Sequence, residues 1–283
     1  MTHPPIGVHA FVAGGLPRGL RYARDLGAEA IQIFVSSPRS WGRSDGDPAA
    51  DRVLREAGMP VYVHASYLVN VGSPDPLTRE RSAASLRHAL ARGRDIGARG
   101  VVVHTGSAAG SGRDAGRRQA RECLLPVLES IPPGGPDLLL EPTAGRGELL
   151  CARAGDLEPY LDALGWHPRA GVCLDTCHAF AAGHDLTAPG GVPALLAELR
   201  AALHEDGPGP GRLRLVHAND TRDPCGSRRD RHENLGAGHL GAAPFAALLR
   251  DPAARQVPFI IETPGPSAAH AQDVTLLRKL RAS

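Results

Sequence analysis

Gly97-Ala98-Arg99-Gly100-Val101-Val102-Val103-His104 joins the end of one structural element to the whole of the next. Upstream, Leu77–Ile96 carries a helical pattern with Thr78 near its start. Gly97 stops that pattern, because glycine adopts the left-handed cap conformation without steric penalty. Downstream, three consecutive β-branched valines form a short, unbroken apolar run, as expected of a strand buried on both faces. The run ends on a histidine. Helix, glycine, buried strand and polar terminus thus follow one another directly.

The same unit recurs in both directions. Further apolar runs lie at Ile6–His9, Ala30–Val35, Val61–His64, Asp137–Glu141, Gly171–Asp175, Leu213–His217 and Pro258–Glu262. Their spacing of roughly 25–45 residues is that of βα units. Helical patterns fill the intervals at Leu16–Leu26, Pro48–Ala57, Asp114–Ile131, Leu157–Leu164, Val192–His204, Pro244–Arg250 and Ala268–Leu280. Eight strands alternating with helices predict a (β/α)8 TIM barrel, a single α/β domain over residues 1–283. An open doubly wound sheet is the rival, and it usually carries a glycine-rich phosphate loop after its first strand. Phe11-Val12-Ala13-Gly14-Gly15-Leu16 contains no such pattern. Gly106–Gly116, Pro132–Pro136 and Asp206–Gly211 read as loops.

Composition narrows the chemistry. With 42% apolar and 4% aromatic residues, the core is expected to be aliphatic. No apolar run is long enough for a membrane span and the first residues lack a signal pattern, so a cytoplasmic protein is expected. The net charge of +2 is compatible with nucleic acid without requiring it. Lys279 is the only lysine, which disfavours covalent imine chemistry. The five cysteines form no CxxC pair and read as reduced thiols.

The strand ends carry the functional signal. His64, His104, Glu141, Asp175, His217 and Glu262 each close a different predicted strand, on the face where barrel enzymes build their active sites. One such residue reads equally well as a polar strand cap; six together do not. His178 follows Asp175 by three residues, and a turn there can aim both side chains into one mouth. Asp230 and His232 are two apart, so in an extended segment both face the same way. Four carboxylates and five imidazoles exceed the needs of one tetrahedral zinc. They suit several divalent ions, zinc before manganese or iron, and clustered metals suit phosphodiester hydrolysis.

Longer motifs contain these residues: Ile6-Gly7-Val8-His9 with Gly14-Gly15-Leu16, His64-Ala65-Ser66-Tyr67-Leu68-Val69-Asn70, His104-Thr105-Gly106-Ser107, and Glu141-Pro142-Thr143-Ala144-Gly145. Others are Asp175-Thr176-Cys177-His178-Ala179-Phe180-Ala181-Ala182-Gly183, His217-Ala218-Asn219-Asp220, Asp230-Arg231-His232 and Glu262-Thr263. In this set the chain resembles the endonuclease IV family over essentially its whole length. The resemblance implies three zinc ions, with manganese or iron as alternatives at some sites. His64, His104 and Glu141 would hold the first. Glu141, the residue central to catalysis, would bridge to the second, completed by Asp175, His217 and Glu262. His178, Asp230 and His232 would hold the third. The implied substrate is double-stranded DNA carrying an abasic site or a blocked 3′ end, handled by a monomer. Cleavage on the 5′ side would leave a 3′-hydroxyl and a 5′-deoxyribose phosphate. Arg39, Tyr67 and Leu68 match positions that enter the DNA at the lesion.

One departure is Pro142, where the family usually has asparagine, which puts the bonding around Glu141 in question. His9 reads as a lining residue, and Cys173 and Cys177 as packing. The alternative is a single-metal, xylose-isomerase-like sugar isomerase or epimerase served by Glu141, Asp175, His217 and Glu262. It leaves His64, His104, His178, Asp230 and His232 without a shared task. A DNA-binding protein that has lost catalysis is a third reading, disfavoured by the full ligand set.

Overall fold

The computed structural model describes residues 3–145, 147–205 and 211–283. Of the expected loop at 206–211, residues 206–210 lie outside this range. In chain order the first seven strands are β1 (Ile6–His9), β2 (Ala30–Ile33), β3 (Val61–His64), β4 (Gly100–His104), β5 (Asp137–Glu141), β6 (Ala170–Asp175) and β7 (Leu213–His217). A two-stranded antiparallel ribbon follows, β8 (Asp220–Thr221) with β9 (His232–Glu233), and then β10 (Phe259–Ile261). The parallel strands close a barrel in the order β1-β10-β7-β6-β5-β4-β3-β2. The helices are α1 (Leu16–Asp25), α2 (Pro48–Arg55), α3 (Pro76–Asp95), α4 (Arg113–Glu129), α5 (Leu157–Ala163), α6 (Thr176–Ala181), α7 (Gly191–Ala202), α8 (Ala243–Arg250) and α9 (Ser267–Ala282). Among the described residues no helix is long and apolar enough to cross a membrane.

The apolar strands divide by parity. Val8, Ile31, Val63, Val101, Leu140 and Ile261 point outward into the large core shared with the helices. Ala30, Tyr62, Val102, Leu139, Cys173, Leu215 and Ile260 form a separate cluster, one residue from each of seven barrel strands. This is the packed barrel interior. The eighth stave contributes Gly7, which pairs with Ala30 and Ile260. A Cβ there would sit 2.4 Å from the Ala30 carbonyl oxygen, so only glycine lets β1 approach β2 this closely. One step above this layer, the same parity delivers the polar strand ends to a single mouth.

Most helices and several strands differ from the sequence reading by one or two residues at their ends, and three differences near the mouth have a visible cause. Glu262 leaves β10 because its N–H donates to Asn219 Oδ1 (2.8 Å) instead of to a neighbouring strand. The turn expected at Asp175–His178 is the start of α6, with Asp175 as N-cap accepting from the His178 N–H at 3.0 Å. The 106–116 loop ends early, since α4 begins at Arg113.

Asp220 organises the loop beyond the ribbon. Its buried carboxylate accepts from the backbone N–H groups of Thr221, Gly236, Gly238, Leu240 and Gly241 at 2.8–3.2 Å. Asp220→Ala strands these donors, and a loss of about 3–5 kcal/mol is expected. A urea midpoint within experimental error of the parent would contradict this account.

Candidate metal centre

Register brings the mouth residues together. His9 pairs with Gln32, His104 with Glu141 and Asp175 with His217 across adjacent strands. Three donor groups result, each with its ligand atoms within 4.8 Å of one another: His64, His104, Glu141; Glu141, Asp175, His217, Glu262; and His178, Asp230, His232. The structure thus gathers all nine sequence-predicted residues, with Glu141 common to two groups. Its Oε2 lies 3.4 Å from His64 Nε2 and 3.5 Å from His104 Nε2. Its Oε1 lies 2.9 Å from His217 Nδ1. Glu262 Oε2 is 3.2 Å from the same nitrogen. In the third group Asp230 reaches His178 Nε2 at 3.2 Å and His232 Nε2 at 3.1 Å.

The surroundings select which imidazole nitrogen faces inward. His64 Nδ1 donates to the Ala65 carbonyl (2.8 Å), His178 Nδ1 to the Pro142 carbonyl (3.2 Å) and His232 Nδ1 to the Glu262 carbonyl (3.1 Å). His217 Nε2 donates to Gln32 Oε1 at 2.9 Å. Each ring therefore turns its other nitrogen, with a free lone pair, into the cluster, the usual arrangement behind metal-binding histidines. Proline at 142 keeps the carbonyl this scheme uses, so the departure noted in the sequence leaves the His178 bond in place.

Buried Glu141 Oε2, His178 Nε2 and His232 Nε2 make ionic contacts but no well-aligned hydrogen bond. Buried polar atoms are normally satisfied, so an inward-facing set of carboxylate and imidazole atoms fits divalent cations. The electrostatics agree. Burial opposes charge on His232, yet Asp230 and Asp175 outweigh it and push the imidazole up to about 9. Burial likewise opposes charge on His178, which Asp175 and Asp230 raise well above the usual range. Without cations these rings carry protons to balance the carboxylates; a divalent ion held there would take the place of those protons. Burial dominates at His104, which falls to about 4, so its imidazole is neutral at pH 7, the form a metal donor needs. Cys173 and Cys177 also come within reach of the cluster. Burial holds both thiols up to about 12, so they stay protonated and pack, as expected.

Sequence reasoning missed some supports. Gln32, fully buried, also donates from Nε2 to Glu262 Oε1 at 2.7 Å. Asn219 Nδ2 donates to Asp175 Oδ2 at 2.7 Å. Gln32 could have been found as the one polar residue in the Ala30–Val35 run. His9 lines the mouth with Nδ1 2.8 Å from Glu262 Oε1. Asp223 is buried and clamps Arg231 through Nε (2.7 Å) and Nη2 (2.5 Å). Arg231 lies between Asp230 and His232, so the clamp holds one side of the segment while its neighbours face the cluster. Asp223→Ala is expected to lower metal affinity about 10-fold, confined to the His178–Asp230–His232 group. Metal titration followed by atomic emission would contradict this if all bound ions were retained equally.

On the rim, Arg39 is exposed, as are Tyr67 (49%) and Leu68 (37%). The Tyr67 N–H and the Ser66 hydroxyl both donate to the Pro38 carbonyl, at 3.0 and 2.9 Å, tying these two loops together. The Tyr67 ring meets Phe34 and His64 edge-on, at 5.3 and 5.4 Å, so it walls the mouth as well as facing solvent.

A family model described as a xylose isomerase-like TIM barrel matches residues 20–280. The probable endonuclease 4 of Streptomyces coelicolor is 54% identical over 98% of this chain and 95% of its own. The crystal structure of endonuclease IV from Thermus thermophilus superposes with a TM-score of 0.84 at 34% identity, covering 98% of each chain. A D-tagatose 3-epimerase-like protein gives 0.73 at 17% identity over 98% of this chain and 96% of its own, a likeness of fold alone. The sugar-isomerase alternative therefore shares the barrel but not this level of sequence identity. The family model and the close full-length relatives, in keeping with the nine candidate ligands gathered at the mouth, place the chain in the endonuclease IV family of AP endonucleases, metal-dependent phosphodiester hydrolases.

Proposed function

We propose that this protein, acting as a cytoplasmic monomer, hydrolyses double-stranded DNA on the 5′ side of abasic sites, leaving a 3′-hydroxyl and a 5′-deoxyribose phosphate, and trims blocked 3′ ends. The observation that carries the reading is the set of three donor groups, two of them sharing Glu141. In this proposal each group holds one zinc ion: His64, His104 and Glu141; Glu141, Asp175, His217 and Glu262; His178, Asp230 and His232. When bound, such ions supply a nucleophile at neutral pH and neutralise charge on the phosphate and the leaving oxygen.

The chain's own residues do the rest. Arg39 contacts the backbone, giving attraction without base reading. Tyr67 and Leu68 press into the base stack, as apolar wedges do in bent duplexes. An abasic nucleotide leaves the stack at low cost, since no base must be unpaired, so selection for the lesion is partly built into the substrate. Glu141, met on its two oxygens by four imidazoles, orders the two deeper donor groups around one mouth.

The test is a duplex with one tetrahydrofuran abasic analogue, which cannot undergo β-elimination. A cut immediately 5′ to the lesion with a 3′-hydroxyl is expected. An intact duplex in the presence of metal-loaded protein would sink the proposal.

A further inference from the structure

The large apolar side chains exposed among the described residues are Phe11, Val53, Tyr67, Leu68 and Leu77. Three of the five fall on one arc of the barrel mouth. Phe11 follows β1, Tyr67 and Leu68 follow β3, and β2 lies between those strands, with Arg39 in the loop beyond it. Phe11 is the most exposed of the five, at 74%.

That exposure is imposed by the local backbone. The Ala10 N–H continues the β1–β2 ladder by donating to the Gln32 carbonyl at 2.8 Å, and Ala10 is buried. Val12 packs against the main core, and its carbonyl accepts from the Gly15 N–H at 2.9 Å. With both neighbours anchored inward, Phe11 is held outward. Gly14 and Gly15, at φ 92° and 97°, let the chain turn straight into α1, so the loop is short and fixed. Tyr67 lies against three other rings; Phe11 makes no ring contact among the described residues.

We infer that Phe11 is a third apolar wedge, entering the base stack of the DNA duplex beside the lesion on the arc that also presents Arg39, Tyr67 and Leu68. The inference rests on the endonuclease reading above. This arc borders the mouth through which substrate enters, so the occupant we assign is the substrate, and an aromatic ring on the same arc as an exposed arginine matches a base stack flanked by phosphates. A base–aromatic contact needs no particular base, which suits an enzyme that meets lesions in any sequence.

The experiment uses the metal-loaded full chain and a tetrahydrofuran duplex with 2-aminopurine next to the lesion. Fluorescence is followed by stopped flow before cleavage, and KM is measured at steady state. Phe11→Ala is expected to raise KM about five- to tenfold and to diminish the 2-aminopurine brightening, with metal content and Tm unchanged. Phe11→Leu, which keeps an apolar wedge, is expected to restore most of both signals. Phe11→Ala matching the parent in KM and in fluorescence would overturn the wedge while leaving the endonuclease reading intact. Failure of the parent protein to cut the lesion duplex would overturn that reading and the wedge with it.

Discussion

Glu141→Gln is expected to reduce incision of an abasic-site duplex by at least ~10³-fold while the barrel stays folded, because one side chain serves two donor groups at once. Glutamine has nearly the same volume, so the interior cluster beneath it need not repack. It cannot carry the negative charge that faces His64, His104, His178 and His217. It also replaces one acceptor oxygen by an N–H₂ group, which points a donor into a cation site. Both the deeper donor groups weaken together. Single-turnover cleavage with saturating metal, beside a circular-dichroism melt, checks this. Retained incision would show that Glu141 is dispensable, and a lost melt would show a structural rather than a site effect.

Stripping divalent ions is expected to have the largest effect on stability. Nine candidate ligand residues, all but Asp230 buried or half-buried, are brought to one mouth, and without cations burying their charges and poorly partnered atoms costs stability. With free metal about a thousandfold above its Kd, binding stabilises by about 4 kcal/mol, or a Tm shift of roughly 8–16 °C for a chain of this size. The pH dependence has a definite sign. In the metal-free protein the His232 imidazole is raised from 6.5 to about 9 by Asp230 and Asp175, against the opposing effect of burial. Its contribution to metal-free stability is therefore fully present below pH 6.5 and is lost as pH rises through about 9. Metal must displace that proton, so binding strengthens over the same interval. The difference between the metal-loaded and chelated Tm should thus widen from pH 6.5 to pH 9. Melts at several pH values in chelator and in zinc test this, and a gap that narrows with pH would reject it.

The sequence by itself determined the barrel and most of the mouth. Gly97 after Leu77–Ile96, then Gly100–His104, already contained helix stop, buried strand and polar strand end, and repetition of that unit leaves few folds open. The candidate ligands were legible because one histidine or carboxylate at a strand end is an ordinary polar cap, whereas six strands ending so on one face of a barrel are not. The strand ends at His64, His104, Glu141, Asp175 and His217 coincide with the structure's own boundaries.

What the tertiary structure decided is which of these residues meet, and through which atoms. Barrel closure sets Glu141 among His64, His104, His178 and His217, residues brought in by other strands and by the start of α6. The choice of ring nitrogen depends on partners distant in sequence, such as Gln32 on His217, 185 residues apart. Asn219 ends β10 early by taking the Glu262 N–H, a bond no local pattern encodes. Local propensity and parity determine where each side chain points along its own strand. Only closure of the sheet, with its register, determines what stands opposite, and the chemistry of this site lies in those cross-barrel distances.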